Sequence, residues 1–217
     1  MKRILILCEG QTEETFVTRI LAPHLQRFEK IAIPKILVTK KVKAGHEFQG
    51  GITSYARVRR DVQNLLRDSC AICITTMLDY YGLPPDFPGK ETLRVGTPYD
   101  RVAYLEQAFS ANIGSPRFLP YLMLHEFEAL LIVDLTAISG VFNSPGGTLP
   151  TDDLKRFSSP EEVNEGAQTH PAARIRKQFA GYRKPLHGPL AVERIGLTNI
   201  RQKCHHFDEW LKKLESL

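Results

Sequence analysis

Carboxylates close the apolar runs of this sequence. Glu9 ends Ile4-Leu5-Ile6-Leu7-Cys8, Asp79 ends Ala71-Ile72-Cys73-Ile74-Thr75-Thr76-Met77-Leu78, and Glu126 and Glu128 follow the run from Phe118 to Leu124 by way of His125. One acid after a strand is an ordinary cap or surface group. Three strands that each deliver acids to one edge are harder to explain that way, because like charges a few ångströms apart do not all stay ionised unless a proton or a cation intervenes. A hard divalent cation is the usual solution. Oxygen-only ligation selects Mg²⁺ or Mn²⁺ over zinc, and Mg²⁺ takes one or two protein carboxylates while keeping waters and phosphate oxygens. Such a centre can generate hydroxide and stabilise both the attacking and the leaving oxygen of a phosphodiester displacement.

That chemistry needs elements that bring the acids together. The first run, rich in Ile and Leu, suits a strand buried on both faces of a parallel sheet. Phe16, Val17, Ile20, Leu21, Leu25 and Phe28 then recur at helical spacing, with Glu13 and Glu14 in the first turn and Pro23 as a kink. A second strand is predicted at residues 35–39, followed by a basic, glycine-bearing loop through Gly51 and a helix carrying Val58, Asp61, Val62, Leu65 and Leu66. The third strand is 71–78. After a proline-rich loop come a helix with Val102, Leu105 and Phe109 and a fourth strand, 118–124, whose successor 129–132 reads as helix. Residues 139–168 read as loop with a short helix near Pro160, and the tail from Pro171 reads as helical, punctuated by Gly181, Gly188 and Gly196. Alternating strands and helices predict an α/β fold, a Rossmann-like parallel sheet flanked by helices with a mainly helical C-terminal extension. The expected organisation is an α/β core over 1–135, with a loop and helical region over 136–217 packed on the same domain. Right-handed crossovers put the carboxyl ends of all strands on one edge, where ligands bind in such sheets.

The remaining features bound the function. With 217 residues, 42% of them hydrophobic and 24% charged, the chain has an average soluble composition. No apolar run approaches a membrane span and no signal peptide is evident, so a cytoplasmic protein with reduced thiols is expected. Cys70 and Cys73 form a C-x-x-C, but residues i and i+3 of a strand face opposite ways, so both are read as buried structural thiols. Cys204-His205-His206 is read as structural too, since adjacent side chains on a helix diverge by about 100°. The net charge is only +5, yet residues 169–203 hold eight basic residues against one acid, Glu193. This stripe includes Arg174, Arg176, Lys177, Arg183 and Lys184. It reads as a footprint for a nucleic-acid backbone, or else as a solvated face or a surface for an acidic partner. There is no P-loop, no G-x-S-x-G and no H-E-x-x-H.

An apolar strand, Glu9-Gly10-x-Thr12-Glu13, and an apolar strand ending seventy residues later in Asp79 together resemble the Toprim fold of topoisomerases, bacterial primases and the overcoming-lysogenization-defect nucleases. Asp79-Tyr80-Tyr81-Gly82-Leu83-Pro84, His125-Glu126-Phe127-Glu128-Ala129-Leu130, Gly188-Pro189 and Ile195-Gly196-Leu197 look like one branch of it, the bacterial domain-of-unknown-function family 4276. The resemblance covers nearly the whole chain. It implies that Glu9 matches the Toprim glutamate and Asp79 the first aspartate of Asp-x-Asp, whose second aspartate is Tyr81 here. A phenol is a poor metal ligand near neutral pH. Either Glu126, the preferred choice, or Glu128 then supplies the missing oxygen, or the metal centre is weak or lost. His125 is read as a structural hydrogen-bonding residue, with a ligand or acid role as the alternative. By region, the resemblance gives Lys184 a phosphate or leaving-group role. What it implies is a Mg²⁺- or Mn²⁺-dependent nuclease acting on nucleic acid, DNA first, in antiphage defence or DNA repair beside an ABC-type ATPase. The rival is a non-catalytic Toprim module that binds nucleic acid or regulates a partner; primase-like nucleotidyl transfer ranks third.

Overall fold

A computed structural model describes residues 1–37, 52–93, 95–141, 154, 156–163, 166 and 168–217. The chain divides into two compact units, Met1–Leu122 and Met123–Leu217. The first is α/β, with a parallel sheet flanked by helices, and the second is mainly helical, as the sequence pattern predicts.

The sheet of the first unit has the order β2-β1-β3-β4, built from β1 (Lys2–Cys8), β2 (Lys30–Ile36), β3 (Ala71–Asp79) and β4 (Phe118–Leu119). All three pairings are parallel. β1 and β3 are interior strands, which is why they are apolar without alternation: Ile4, Ile6, Leu7, Ile74 and Met77 are buried. α3 (Tyr55–Leu66) packs on β1 and β3, and α4 (Pro98–Ile113) packs on β4. Around these helices Tyr55, Phe87, Phe109 and Phe118 meet edge to face, with ring centroids 4.8 to 5.7 Å apart.

Three predicted elements come out differently. The second strand lies at 30–36 rather than 35–39, and 38–51, including the predicted basic loop, fall outside the described residues. Pro34 disguises this strand, because prolines are tolerated in sheets only on edges, and β2 is an edge. The predicted strand 118–124 is interrupted at Pro120, with Leu122–Met123 forming a separate short strand. In place of a ladder bond, Tyr121 N–H donates to Thr76 Oγ1 at 3.0 Å, and that hydroxyl donates back to the Tyr121 carbonyl at 2.8 Å. The first helix is not simply kinked at Pro23. α1 (Gln11–Phe16) runs into a π-helical turn, Val17–Leu21, where Ala22 N–H reaches back five residues to Val17 O, and Pro23 then falls in the first turn of α2 (Ala22–Gln26). There its missing N–H costs little.

In the second unit, residues 127–131 form a 3₁₀ turn where 129–132 was expected to be helical. The helices are α5 (Leu135–Val141), α6 (Pro171–Gln178), α7 (Lys184–Ile195), α8 (Leu197–Lys203) and α9 (His205–Ser216). Pro171 occupies the first position of α6, as predicted, and Gly196, at φ +80°, separates α7 from α8. The 3₁₀ turn Pro160–Glu162 carries the buried Glu161, whose two oxygens accept from His206 N–H and Phe207 N–H, each at 2.9 Å, at the start of α9. His205 lies 3.1 Å from Glu209 on the same helix. Arg201 joins α8 to α9 through Asp208 and Glu215. Cys73 is buried, and burial pushes its thiol up to about 11, but Cys70, also expected inside, is exposed in the turn before β3. Among the described residues no helix is long and apolar enough to cross a membrane.

Candidate functional site

Glu9 and Asp79 meet because β1 and β3 are neighbours running the same way. Cys8 pairs with Met77, so the strands end together and both acids fall at the carboxyl edge. Glu9 is fixed there at two points. Its N–H donates to Met77 O at 3.2 Å, extending the ladder by one residue, and its Oε2 accepts from Asp79 N–H at 3.0 Å. Asp79 is buried and Glu9 half-buried. The 3₁₀ turn Tyr80–Gly82 follows immediately and passes close over the glutamate: a Cβ on Gly82 would lie 3.6 Å from Glu9 Oε1. A longer side chain at Gly82 would cover the carboxylate. Tyr81 is 52% exposed on this turn. The loop that precedes α1 is set by Glu13, buried, whose Oε2 accepts from Gly10 N–H at 2.9 Å and so holds the chain just after Glu9.

The acids of the second unit are engaged otherwise. Glu126 Oε1 accepts from Ala172 N–H at 2.6 Å, in the first turn of α6, and lies 2.7 Å from His170 Nδ1. It therefore caps that helix across forty-six residues of sequence. Glu128 is fully buried. Its Oε2 lies 3.4 Å from Lys184 Nζ, and its Oε1 accepts from Tyr182 O–H at 3.3 Å. Burial, reinforced by the Glu128 charge, holds the Tyr182 phenol well above its ordinary value. Lys184 also sits 5.9 Å from the centre of the Phe127 ring. His125 is buried with φ +64°, a left-handed conformation that turns the chain sharply between Leu124 and Glu126.

The predicted basic stripe divides by environment. Arg176, Lys177 and Arg183 are exposed, whereas Arg174 is half-buried and donates to Thr169 O at 2.5 Å. Lys203 donates to Val133 O at 2.9 Å.

Within the first unit, then, the structure brings together Glu9 and Asp79; within the second it brings together Glu128 and Lys184. Among the described residues no three His, Cys, Asp or Glu side chains form a metal-holding group. Three participants escaped sequence reasoning. Gly82 lies in the stretch Asp79-Tyr80-Tyr81-Gly82, and Tyr182 directly precedes Arg183 and Lys184 of the basic stripe, but the sequence reading gives neither a role. For His170, only its place before the helix-starting Pro171 could have flagged it.

The fold and the paired acids define an α/β protein with carboxylates at the carboxyl edge of a parallel sheet. The family described as Domain of unknown function (DUF4276) matches residues 8–215, and the chain belongs to it. No curated protein and no solved structure matches the chain.

Proposed function

We propose that this protein is a Mg²⁺- or Mn²⁺-dependent nuclease related to the Toprim proteins. The observation that carries the reading is the pair Glu9 and Asp79, delivered to one sheet edge by adjacent parallel strands and joined through the Asp79 N–H. Two carboxylates suit a hard cation, which commonly takes one or two protein carboxylates and fills its shell with water and phosphate oxygens. Glu9 and Asp79 would hold it. When bound, the ion supplies charge neutralisation and an activated water to phosphodiester cleavage. The chain's own contribution is orientation: β1 and β3 fix where the acids stand, and Gly82 keeps the approach to Glu9 open. Exposed Arg176, Lys177 and Arg183 are the candidates for gripping the nucleic-acid backbone. DNA as substrate, an ABC-type ATPase as partner, and a cytoplasmic role in antiphage defence or repair complete the reading.

Tyr81 favours a second reading. It occupies the position of the second Toprim aspartate and is well exposed, as suits a surface that binds nucleic acid or a partner without cutting.

The test is cleavage of plasmid and oligonucleotides by purified protein with Mg²⁺ or Mn²⁺, with and without the ATPase and ATP. Asp79→Asn and Glu9→Gln should each abolish metal-dependent cleavage while leaving the circular dichroism spectrum unchanged. Glu126→Gln, Glu128→Gln and Lys184→Met in the same assay decide whether the second unit shares in the chemistry. Wild-type protein that neither cuts nor gains thermal stability from Mn²⁺ leaves the binding module as the function.

A further inference from the structure

The exposed face of α3 is an arginine track. Its solvent-facing residues are Ala56, Arg59, Arg60, Gln63 and Asn64, continued by Arg67 just past the helix, and the one acid of the segment, Asp61, is turned inward and buried. Among the described residues Arg59 and Arg67 make no ion pair, and Arg60 has only a 3.6 Å contact to Asp61. An open cleft of about 420 Å³ lies along the track, lined by Tyr55, Arg59, Arg60, Gln63, Asp86 and Asn112. Its acid, Asp86, directs both oxygens at Tyr55 N–H, at 3.0 and 3.1 Å, so this charge is set against the positive end of the helix.

Topology fixes where the track leads. α3 ends at Leu66 and β3 begins at Ala71, so the carboxyl end of the helix lies at the start of β3 and its amino end points to the opposite edge. Asp86, seven residues past Asp79, binds that amino end, which agrees. Arg59 and Arg60 are therefore nearer the edge that bears Glu9 and Asp79, and Arg67 is farther from it.

We infer that the exposed face of α3 binds the sugar–phosphate backbone of nucleic acid and guides it toward the carboxylate edge of the same unit. This surface lies in the first unit, whereas the basic residues between 174 and 184 belong to the second, and the inference rests on nucleic acid being the substrate of the proposed site. Its composition separates it from a protein-docking face. Protein interfaces are anchored by buried aromatic or aliphatic side chains, and this face has none larger than Ala56. Arginine forks interspersed with side-chain amides are the groups that contact phosphates without reading bases. From Arg60 to Arg67 the helix rises about 10 Å, which matches roughly three base steps along one strand.

The experiment measures binding of a fluorescent 30-base-pair duplex to full-length protein across a series of salt concentrations, with EDTA present to prevent cleavage. Arg59→Gln/Arg60→Gln/Arg67→Gln should weaken binding about tenfold and reduce the log–log salt slope by about 2 to 3. Arg19→Gln/Arg27→Gln/Lys213→Gln, which removes the same charge from other exposed positions, should leave the slope unchanged. Gln63→Glu alone should weaken binding, and Lys at all three arginine positions should preserve the slope. Equal slopes for the two triple variants overturn the inference while leaving the nuclease reading intact. So does tighter binding of poly-glutamate than of duplex, which would make the face a site for acidic protein. Binding lost in the arginine variant but no cleavage by wild type sustains the track and removes the nuclease.

Discussion

Carboxylates in the two units are stabilised in opposite ways. Glu9 is held by a main-chain N–H and stays half-buried at a sheet edge, beside a second acid. Glu128 is wholly buried, with a lysine and a tyrosine of its own unit, and Glu126 sits on a helix amino end with His170. A main-chain donor orients an anion without cancelling its charge. A lysine at 3.4 Å cancels it. The difference teaches that four acids which look alike as run-ending residues differ in the partners their own unit gives them: a main-chain N–H for Glu9, which stands beside Asp79, a helix end and a histidine for Glu126, and a lysine and a tyrosine for Glu128.

The largest effect that would disturb this division is at Lys184. Lys184→Met strips the cation from the fully buried Glu128 and should lower unfolding free energy by about 3 kcal/mol, the lower end for breaking a buried pair because this lysine is partly solvated. Urea denaturation measures it, and adding Glu128→Gln should restore much of the loss. If the single variant is as stable as wild type, Glu128 is not held by that pair. Next comes Glu126→Ala, which removes a helix cap and the partner of His170; a loss of about 1 to 2 kcal/mol is expected in the same measurement. Smallest are Glu9→Gln and Asp79→Asn in metal-free buffer. Glutamine still offers an oxygen to Asp79 N–H, and both substitutions keep the size of the side chain, so stability should shift by less than about 0.5 kcal/mol. A loss as large as that of Lys184→Met would mean that these acids, too, are structural.

How much of this was legible in the sequence follows from the range of the interactions. β1 and β3 are interior parallel strands, whose burial on both faces writes a continuous apolar run with a visible end, so Glu9 and Asp79 could be placed from their neighbours alone. β2 is an edge, where Ile31 and Ile36 are partly exposed and Pro34 is allowed, so its run is diluted and was read five residues late. The fourth strand was read through Pro120 because its apolar content continues, although the hydrogen bonding passes to the Thr76 hydroxyl. Glu126 and Glu128 were legible as candidates, but their partners His170, Ala172, Tyr182 and Lys184 lie more than forty residues away, and no local pattern encodes that meeting.

Pro34 has a consequence for how copies of this protein meet. Leu37 N–H bonds inward to Cys8 O, so by alternation residue 34 is one whose amide position faces away from β1. At mid-length on the outer rim of the sheet, the donor that an incoming strand would need has been replaced by a ring. A rim of Ile31, Pro34 and Ile36 is apolar enough to be adhesive, yet it cannot be zipped by a continuous run of main-chain bonds, which are what template the growth of a fibril. The proline that hid this strand in the sequence thus works against polymerisation of the folded chain through this sheet edge.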